Sequence, residues 1–559
     1  MKQNIKIILL SLITLSVPSC EDFLTRPTED SYNVDNFFQT DEQCFQAVNP
    51  IYNSPWYDFQ RFFIKAGEQF SGNIYANGAY QTFTVNSSDP DLGLASASLW
   101  SVNAYCNSVI ENINTKTGEE VSEQTKLIVK GEALVWKAMA YFYLVRTFGE
   151  VPVVHNNSTE IADGTYNDVY KAKRVNVYDY IILTLEQAIQ WLPPENQEGR
   201  LDRYSAYALL AKVYLTKAGL SGTLNNDDLQ KAYDYAVKVI DESGRELMPV
   251  FSDIFRLQNN FNREALISWH WKAGRTPWTQ QNSLQSDLGI KGFDEWPNVW
   301  GNWTGPSVDL QDAFGESALS LDRNNRDTRR KATMMMYGDH YDYFWTTRGG
   351  FDWWNSLVKS GGQDNMSAVG TNCVKHLVGD NADHKEAGGG DTQDMANGLS
   401  THLLRLADVY LICAEASALL NGGTTTDAKA LEAFNKVFLR AIPAELPKTS
   451  ITWEQIWKER RLELACEGDR WYDYVRWHYY APQQAIAEIK AQRRAAYTGL
   501  YAFYDSGSLN PAETFYDTNP TIPNVTDESF TMPVPDSDLT MNPHLLEPGR
   551  DIDVSQYKY

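Results

Sequence analysis

The chain has 559 residues and a formal charge of −23 at pH 7. That length allows a large buried core, and the acidity excludes a nucleic-acid-binding body and electrostatic adhesion of the protein surface to an anionic bilayer. Six cysteines without a Cys-x-x-Cys pair make neither a disulfide framework nor a zinc pattern, and the eight histidines are scattered.

Lys2 and Lys6 give a cationic start, and Ile5 to Val17 form an apolar run broken only by Lys6 and hydroxyl residues. This is the pattern of an export signal, too short for a membrane span of about 18 or more apolar residues. Val17-Pro18-Ser19-Cys20 resembles the lipobox of bacterial lipoproteins, although Pro18 is unusual there. The expectation is a lipoprotein signal peptide over residues 1–19 and Cys20 as the acylated, palmitate-bearing first residue of the mature chain. No later run is long and apolar enough to cross a bilayer.

Amphipathic helices follow. Leu134, Ala138, Tyr141, Phe142 and Val145 recur at helical spacing, as do Val177, Ile181, Leu185, Ala188 and Ile189, then Leu229, Tyr233, Ala236, Val237 and Ile240, and Leu406, Tyr410, Cys413 and Ala414. Gly149 with Pro152, Pro193-Pro194, Gly219 and Gly422-Gly423 end them, and Thr452 with Gln455 is a capping-box start. Small residues on the packing faces suggest four hairpins of the tetratricopeptide type: 99–115 with 126–147, 176–192 with 204–218, 228–242 with 402–421, and 427–441 with 453–466. The predicted fold is mainly α-helical: a superhelical scaffold over about 20–249 and 400–559, and an irregular aromatic-rich insert over about 250–400 with one strand at Ala265–Trp271.

The segment from Ile456 to Trp477, IWKERRLELACEGDRWYDYVRW, resembles the ERR-x-EL-x-x-EG-x-R signature of the SusD/RagB family of surface glycan-binding lipoproteins. Lys130-Gly-Glu-Ala133 through Phe148-Gly149-Glu150-Val151-Pro152, Ala208 to Leu215, Leu404 to Leu411, Met532-Pro-Val-Pro535 and Cys20-Glu-Asp-Phe-Leu24 are similar to further family segments. The resemblance implies a SusD-like fold, non-catalytic capture of an oligosaccharide at the surface of a Gram-negative outer membrane, and delivery to a SusC-like TonB-dependent transporter, with no cofactor. Peptide or glycoprotein-fragment capture, as in RagB-like members, and a surface glycoside hydrolase are the alternatives. The charges of the signature segment read as structural: Glu459, Glu463 and Glu467 share a helix face, with Arg460, Arg461, Arg470 and Arg476 at hand to pair with them or with neighbouring helix ends.

Nine of the seventeen tryptophans lie between 269 and 354. A flat ring covers the C–H face of a sugar while nearby Asp, Asn, Gln and Arg bond its hydroxyl rim. Trp278, Trp296, Trp300 and Trp303, with Asp294 and Asn302, make one candidate platform, and Trp345, Trp353 and Trp354, with Arg348, make a second. Trp269 and Trp271 share a strand face and read as core. By the resemblance, Asn73, Tyr75, Tyr80 and Trp100 from the N-terminal third are outside candidates. A glycosidase needs two carboxylates at a set separation; Asp294-Glu295 is the most tempting pair, and nothing singles it out. Asp380, Asp383, Glu386 and Asp391 have the composition of a calcium loop, but Ala382 falls where a ligand is required, so no metal is expected.

Overall fold

The helices form where apolar residues recur at helical spacing, and side-chain caps fix their starts. The computed structural model of the chain describes residues 37–274, 277–294, 301, 304–390, 397–517 and 523–559; the signal segment and Cys20 lie outside them. Helix α1 (Asp41–Val48) opens with a Thr40–Gln43 capping box, and α2 is Tyr57–Ile64. They are followed by α3 (Pro90–Lys116), α4 (Glu123–Phe148), α5 (Arg174–Trp191), α6 (Arg203–Lys217) and α7 (Asn226–Glu242); Asp89, Ser122, Asp202 and Asn225 accept backbone N–H groups as caps of α3, α4, α6 and α7. Past the insert come α8 (Leu406–Leu420), α9 (Ala428–Ala441), α10 (Trp453–Leu464), α11 (Arg470–Tyr480) and α12 (Pro482–Ala491). The expected capping box at Thr452 and Gln455 is present.

The fold is mainly α. Helix α3 packs on α4, α5 on α6, and α7 on α8, although residues 243–405 intervene between the last two. The fourth expected hairpin differs: α9 and α10 touch each other little, and each lies on α8 instead. Helix α8 allows this because Leu406 through Ala418 is buried on all sides, so it can be covered by several neighbours at once. Helix α4 is another such pillar, buried without a break from Gly131 to Phe148, where its pattern predicted a single apolar stripe.

Burying α4 all round also buries its charged residues Glu132, Lys137 and Arg146, each of which is met. Glu132 accepts from Tyr52 Oη (3.0 Å), Asn196 Nδ2 (3.0 Å) and Arg200 Nη1 (2.8 Å), yet burial still pushes its pKa to about 6. Lys137 Nζ donates to Asn107 Oδ1 (2.5 Å) and to the His155 carbonyl (3.0 Å), while burial pulls it down to about 7. Arg146 pairs with Asp469 at 2.9 Å.

The charges of the 456–477 segment form two buried networks, one met mainly by residues outside the segment and one that also pairs residues within it. Glu459, Glu463 and Glu467 are met by residues from the insert and neighbouring helices: Arg329 to Glu459 at 2.6 Å and to Glu463 at 3.1 Å, Arg405 to Glu463 at 2.6 Å and to Glu467 at 2.8 Å, Arg440 to Glu463 at 2.5 Å, and Lys375 to Glu467 at 2.7 Å. Arg460 reaches Asp408 (2.7 Å) and Asp473 (3.1 Å), and Arg476 reaches Glu415 (2.6 Å) and Asp473 (3.0 Å). Arg461 pairs with Asp309 at 2.8 Å, and Arg470 lies over the Trp457 ring at 3.7 Å. Burial alone would raise Glu463, but Arg440, Arg405 and Arg329 outweigh it and hold the carboxyl well below the usual range. The segment is thus the hub that locks insert to scaffold.

Gly468 in that segment is required by contact as well as conformation. Its φ is 83°, a Cβ on it would sit 2.3 Å from Phe63 Cε1, and a Cβ on Gly67 would sit 1.9 Å from its carbonyl oxygen. Within 243–405 the described elements are short. The main one is the antiparallel pair β1 (Ala265–Trp269) and β2 (Thr401–Arg405), with Thr401 opposite Trp269 and an irregular register near Leu404, which ties the two ends of the insert together.

Candidate functional site

Trp269 and Trp271 enter the core, as their shared strand face predicts. Trp269 is fully buried against Trp56 (5.4 Å between centroids) and Phe63 (5.3 Å), and Trp271 Nε1 donates to Thr401 Oγ1 at 3.0 Å. After the strand the chain turns back, with Lys272 N bonded to the Gln280 carbonyl, and a single 3-10 turn, Trp278–Gln280, follows Pro277. Trp278 is 38% exposed, and its ring meets the half-buried Tyr57 of α2 edge-on at 6.5 Å.

Tyr57 and Arg61 are one turn apart on α2 and therefore lie on one face. Arg61 Nε is 3.5 Å from Asp287 Oδ2, and Asp287 belongs to the short helix Leu284–Leu288. Gly301 lies against that helix's end so closely that a Cβ there would meet the Gly289 carbonyl oxygen at 2.5 Å and the Asp287 carbonyl oxygen at 2.7 Å. One exposed ridge of α2 thus joins Trp278 at one end to the Gly301 segment at the other. Trp296, Trp300, Asn302 and Trp303 lie outside the described residues. Beneath the ridge, Gln281 and Ser283 are buried, and their side chains approach Tyr57.

Other sequence candidates sit elsewhere. Asp294 is 6% exposed and accepts from Gln285 Nε2 at 3.4 Å, so it faces inward. Trp353 is fully buried with Nε1 donating to Asn372 Oδ1 at 3.0 Å, and Trp354 is packed among Tyr337, Tyr501 and Tyr504. Trp345 stacks near Phe293, donates from Nε1 to the Phe293 carbonyl (2.7 Å) and carries the Arg348 guanidinium over its face at 4.4 Å. Arg348 in turn reaches Asp380 Oδ2 at 3.0 Å. The rings of this second cluster are therefore part of the main core, with the Trp345 and Trp353 N–H groups bonded inside, rather than an open platform. The insert contributes few large aliphatic residues there, and the rings fill the space instead.

Asn73 is likewise a structural link: it is fully buried, donating to Glu68 Oε2 (2.9 Å) and accepting from Arg461 Nε (2.8 Å). Tyr75 and Tyr80 are buried with hydroxyls on Asn77 and Asp89. Trp100 is half-buried on α3, edge-on to Tyr141 at 6.1 Å. Asp380 caps the short helix Asn381–Glu386 in a capping box with Asp383, and Asp383 accepts from Trp345 N and Thr346 N, so both carboxylates bond backbone N–H groups; Asp391 lies outside the described residues. Tyr57, Arg61 and Asp287 escaped the sequence reading. The available signal was Tyr57, Arg61 and Lys65 at steps of four, opposite Phe59, Phe62 and Phe63.

Comparison with known proteins agrees with this architecture. A family model described as "SusD family" matches residues 195–547, and another, described as "Starch-binding associating with outer membrane", matches residues 4–215. A SusD-like protein of Bacteroides ovatus is 31% identical over 97% of this chain and 97% of its own length. SusD-like protein P25 of Formosa agariphila is 22% identical, covering 84% of this chain and 89% of its own. Among solved structures, one described as a crystal structure with xylogluco-oligosaccharide superposes with a TM-score of 0.77 at 30% identity, covering 91% of this chain and 99% of that one. A laminarin-binding SusD-like protein superposes with a TM-score of 0.63 at 21% identity, covering 90% and 98%.

Proposed function

The chain belongs to the SusD family, and from that premise we propose that it is an outer-membrane-associated, non-catalytic protein that captures an oligosaccharide and hands it to a SusC-like TonB-dependent transporter. The observation that carries the reading is the α2 ridge, where a half-exposed Trp278 and Tyr57 offer apolar edges beside the Arg61–Asp287 pair. This is the mixture of ring face and polar rim that a sugar needs. Trp296, Trp300, Asn302 and Trp303 extend this platform in the proposal, because Gly301, covalently between Trp300 and Asn302, is packed at the end of the ridge. A relative of 30% identity described with xylogluco-oligosaccharide supports a β-glucan-type ligand.

Cys20 carries the lipid in this reading. Acyl chains contribute about 0.8 kcal/mol per buried methylene, so a single chain holds only marginally and multiple acylation makes attachment lasting. Tethering keeps the bound sugar at high effective concentration beside the transporter, which makes modest affinity sufficient.

Native gel electrophoresis through xyloglucan and through laminarin tests the binding. Trp278→Ala and the triple Trp296→Ala, Trp300→Ala, Trp303→Ala variant should each lose retardation without unfolding, and Trp278→Ala should melt within about 1 °C of the parent, since its ring is exposed and supplies little core. Unchanged retardation of both variants would refute the platform, and release of shorter oligosaccharides on incubation would refute the non-catalytic reading. Intact-mass measurement of the N-terminal peptide from membrane-derived protein tests the acylation of Cys20.

A further inference from the structure

A pocket of about 250 Å³ lies beside Arg256, and none of the residues of the α2 ridge line it. Its walls are mixed: Leu257, Leu377 and Val378 are buried apolar residues beside Arg256 and Asp383, and the exposed Gln258 and Glu386 also line it. Arg256 is 6% exposed, and its guanidinium lies over the Tyr343 ring, 3.7 Å from the centroid. Nε donates to the Ser252 carbonyl at 3.3 Å, and among the described residues neither Nη group meets an acceptor.

The contrast with the other buried arginines is direct. Arg329, Arg405, Arg460 and Arg476 are equally buried, and each has carboxylates within 3.1 Å. A desolvated cation without a counter-ion is costly, and burial accordingly draws Arg256 below the usual arginine range. Asp383 also lines the pocket, but its oxygens accept from Trp345 N (2.7 Å), Thr346 N (3.0 Å), Thr346 Oγ1 (2.7 Å) and Asp380 N (3.0 Å). It is committed to holding the backbone. Glu386 accepts from Thr346 Oγ1 at 2.9 Å.

We propose that this pocket binds a uronic acid residue, with its carboxylate seated on the Arg256 fork and its ring hydroxyls turned toward Gln258, Thr346 and Glu386. A guanidinium offers two parallel N–H groups that match a carboxylate. The volume is below the roughly 300–1,000 Å³ of drug-sized ligand sites, which limits the occupant to one sugar residue. The assignment rests on the glycan-capture reading and extends it to acidic branches of the captured chain.

Ligand-observed NMR on the full chain, with D-glucuronate, D-glucose and acetate as probes, tests it. Glucuronate should bind saturably and more tightly than either of the others. Arg256→Gln should weaken it about tenfold or more, by loss of a charge-assisted pair, and leave retardation by neutral xyloglucan unchanged. Glu386→Gln, an exposed change that does not threaten the fold, should strengthen glucuronate by about threefold through removal of a like charge. Trp278→Ala should keep glucuronate binding while losing xyloglucan, so failure of the ridge and failure of the pocket are separable. No saturable glucuronate binding, glucose or acetate binding as tightly, or an Arg256→Gln variant with unchanged affinity would each overturn the assignment.

Discussion

Replacing Arg405 by Met should destabilise the protein by about 3–5 kcal/mol, the cost of removing one partner from a buried ion-pair network. Arg405 is 1% exposed and bonds Glu264 (2.7 Å), Glu463 (2.6 Å) and Glu467 (2.8 Å). Around it, the cations Arg329, Arg405, Arg440 and Lys375 face the carboxylates Asp327, Glu264, Glu459, Glu463 and Glu467. The network is already one cation short, and burial leaves Glu459 raised despite its pairing with Arg329. Met fills much of the volume but supplies no charge, so the shortfall deepens. With unfolding entropy near 2.1 cal/mol/K per residue, a chain of this size loses about 1 kcal/mol per degree near its midpoint, so the melting temperature should fall by about 3–5 °C. Differential scanning calorimetry at pH 7 reads this directly. Adding Glu467→Gln should recover part of the loss, because one uncompensated carboxylate is then neutral. An Arg405→Met variant melting within 1 °C of the parent, or a double variant no better than the single, would refute the network as the lock between insert and scaffold.

Acid should unfold the protein through the same groups. Asp408, Glu463, Glu467 and Asp473 are held below their usual values because nearby cations outweigh burial. Their contribution is present above the unfolded carboxylate range near pH 4–4.5 and is lost as pH falls through the lowered folded values; a melting temperature that stays flat from pH 5 to pH 3 would contradict this. Gly468→Ala should cost at least about 1–3 kcal/mol, since Phe63 must shift and the left-handed backbone is strained; thermal unfolding of purified protein checks it, and a neutral result would refute the close approach. Trp353→Ala should destabilise by about 3–5 kcal/mol as a core truncation yet leave glycan retardation of the folded fraction intact, the reverse of the pattern expected for Trp278→Ala.

The sequence was most legible where one physical rule acts locally. Helix periodicity, Gly and Pro punctuation and the Thr452–Gln455 cap placed the principal helices, and the segment from Ile456 to Trp477 indicated the family. Periodicity failed at α4 and α8, because a pattern reports which residues avoid water only when one face keeps water, and these helices keep none. The same limit applied to the tryptophans. Composition showed that the insert is rich in rings, but whether a ring opens to solvent depends on what arrives from elsewhere in the chain. Trp278 is left open at a turn, whereas Trp353 is closed by Asn372 and the Tyr504 ring, distant from it in sequence.

What the sequence determined by itself was therefore local and additive: helix limits, caps and a dense run of opposite charges. Only the tertiary structure decided which partners those charges take, that neither Nη group of Arg256 meets an acceptor among the described residues, and that Tyr57, Arg61 and Asp287 join Trp278 on one ridge. The reason is physical: the cost of burying a charge or a ring depends on the atoms that surround it, and those atoms come from segments separated by tens to hundreds of residues.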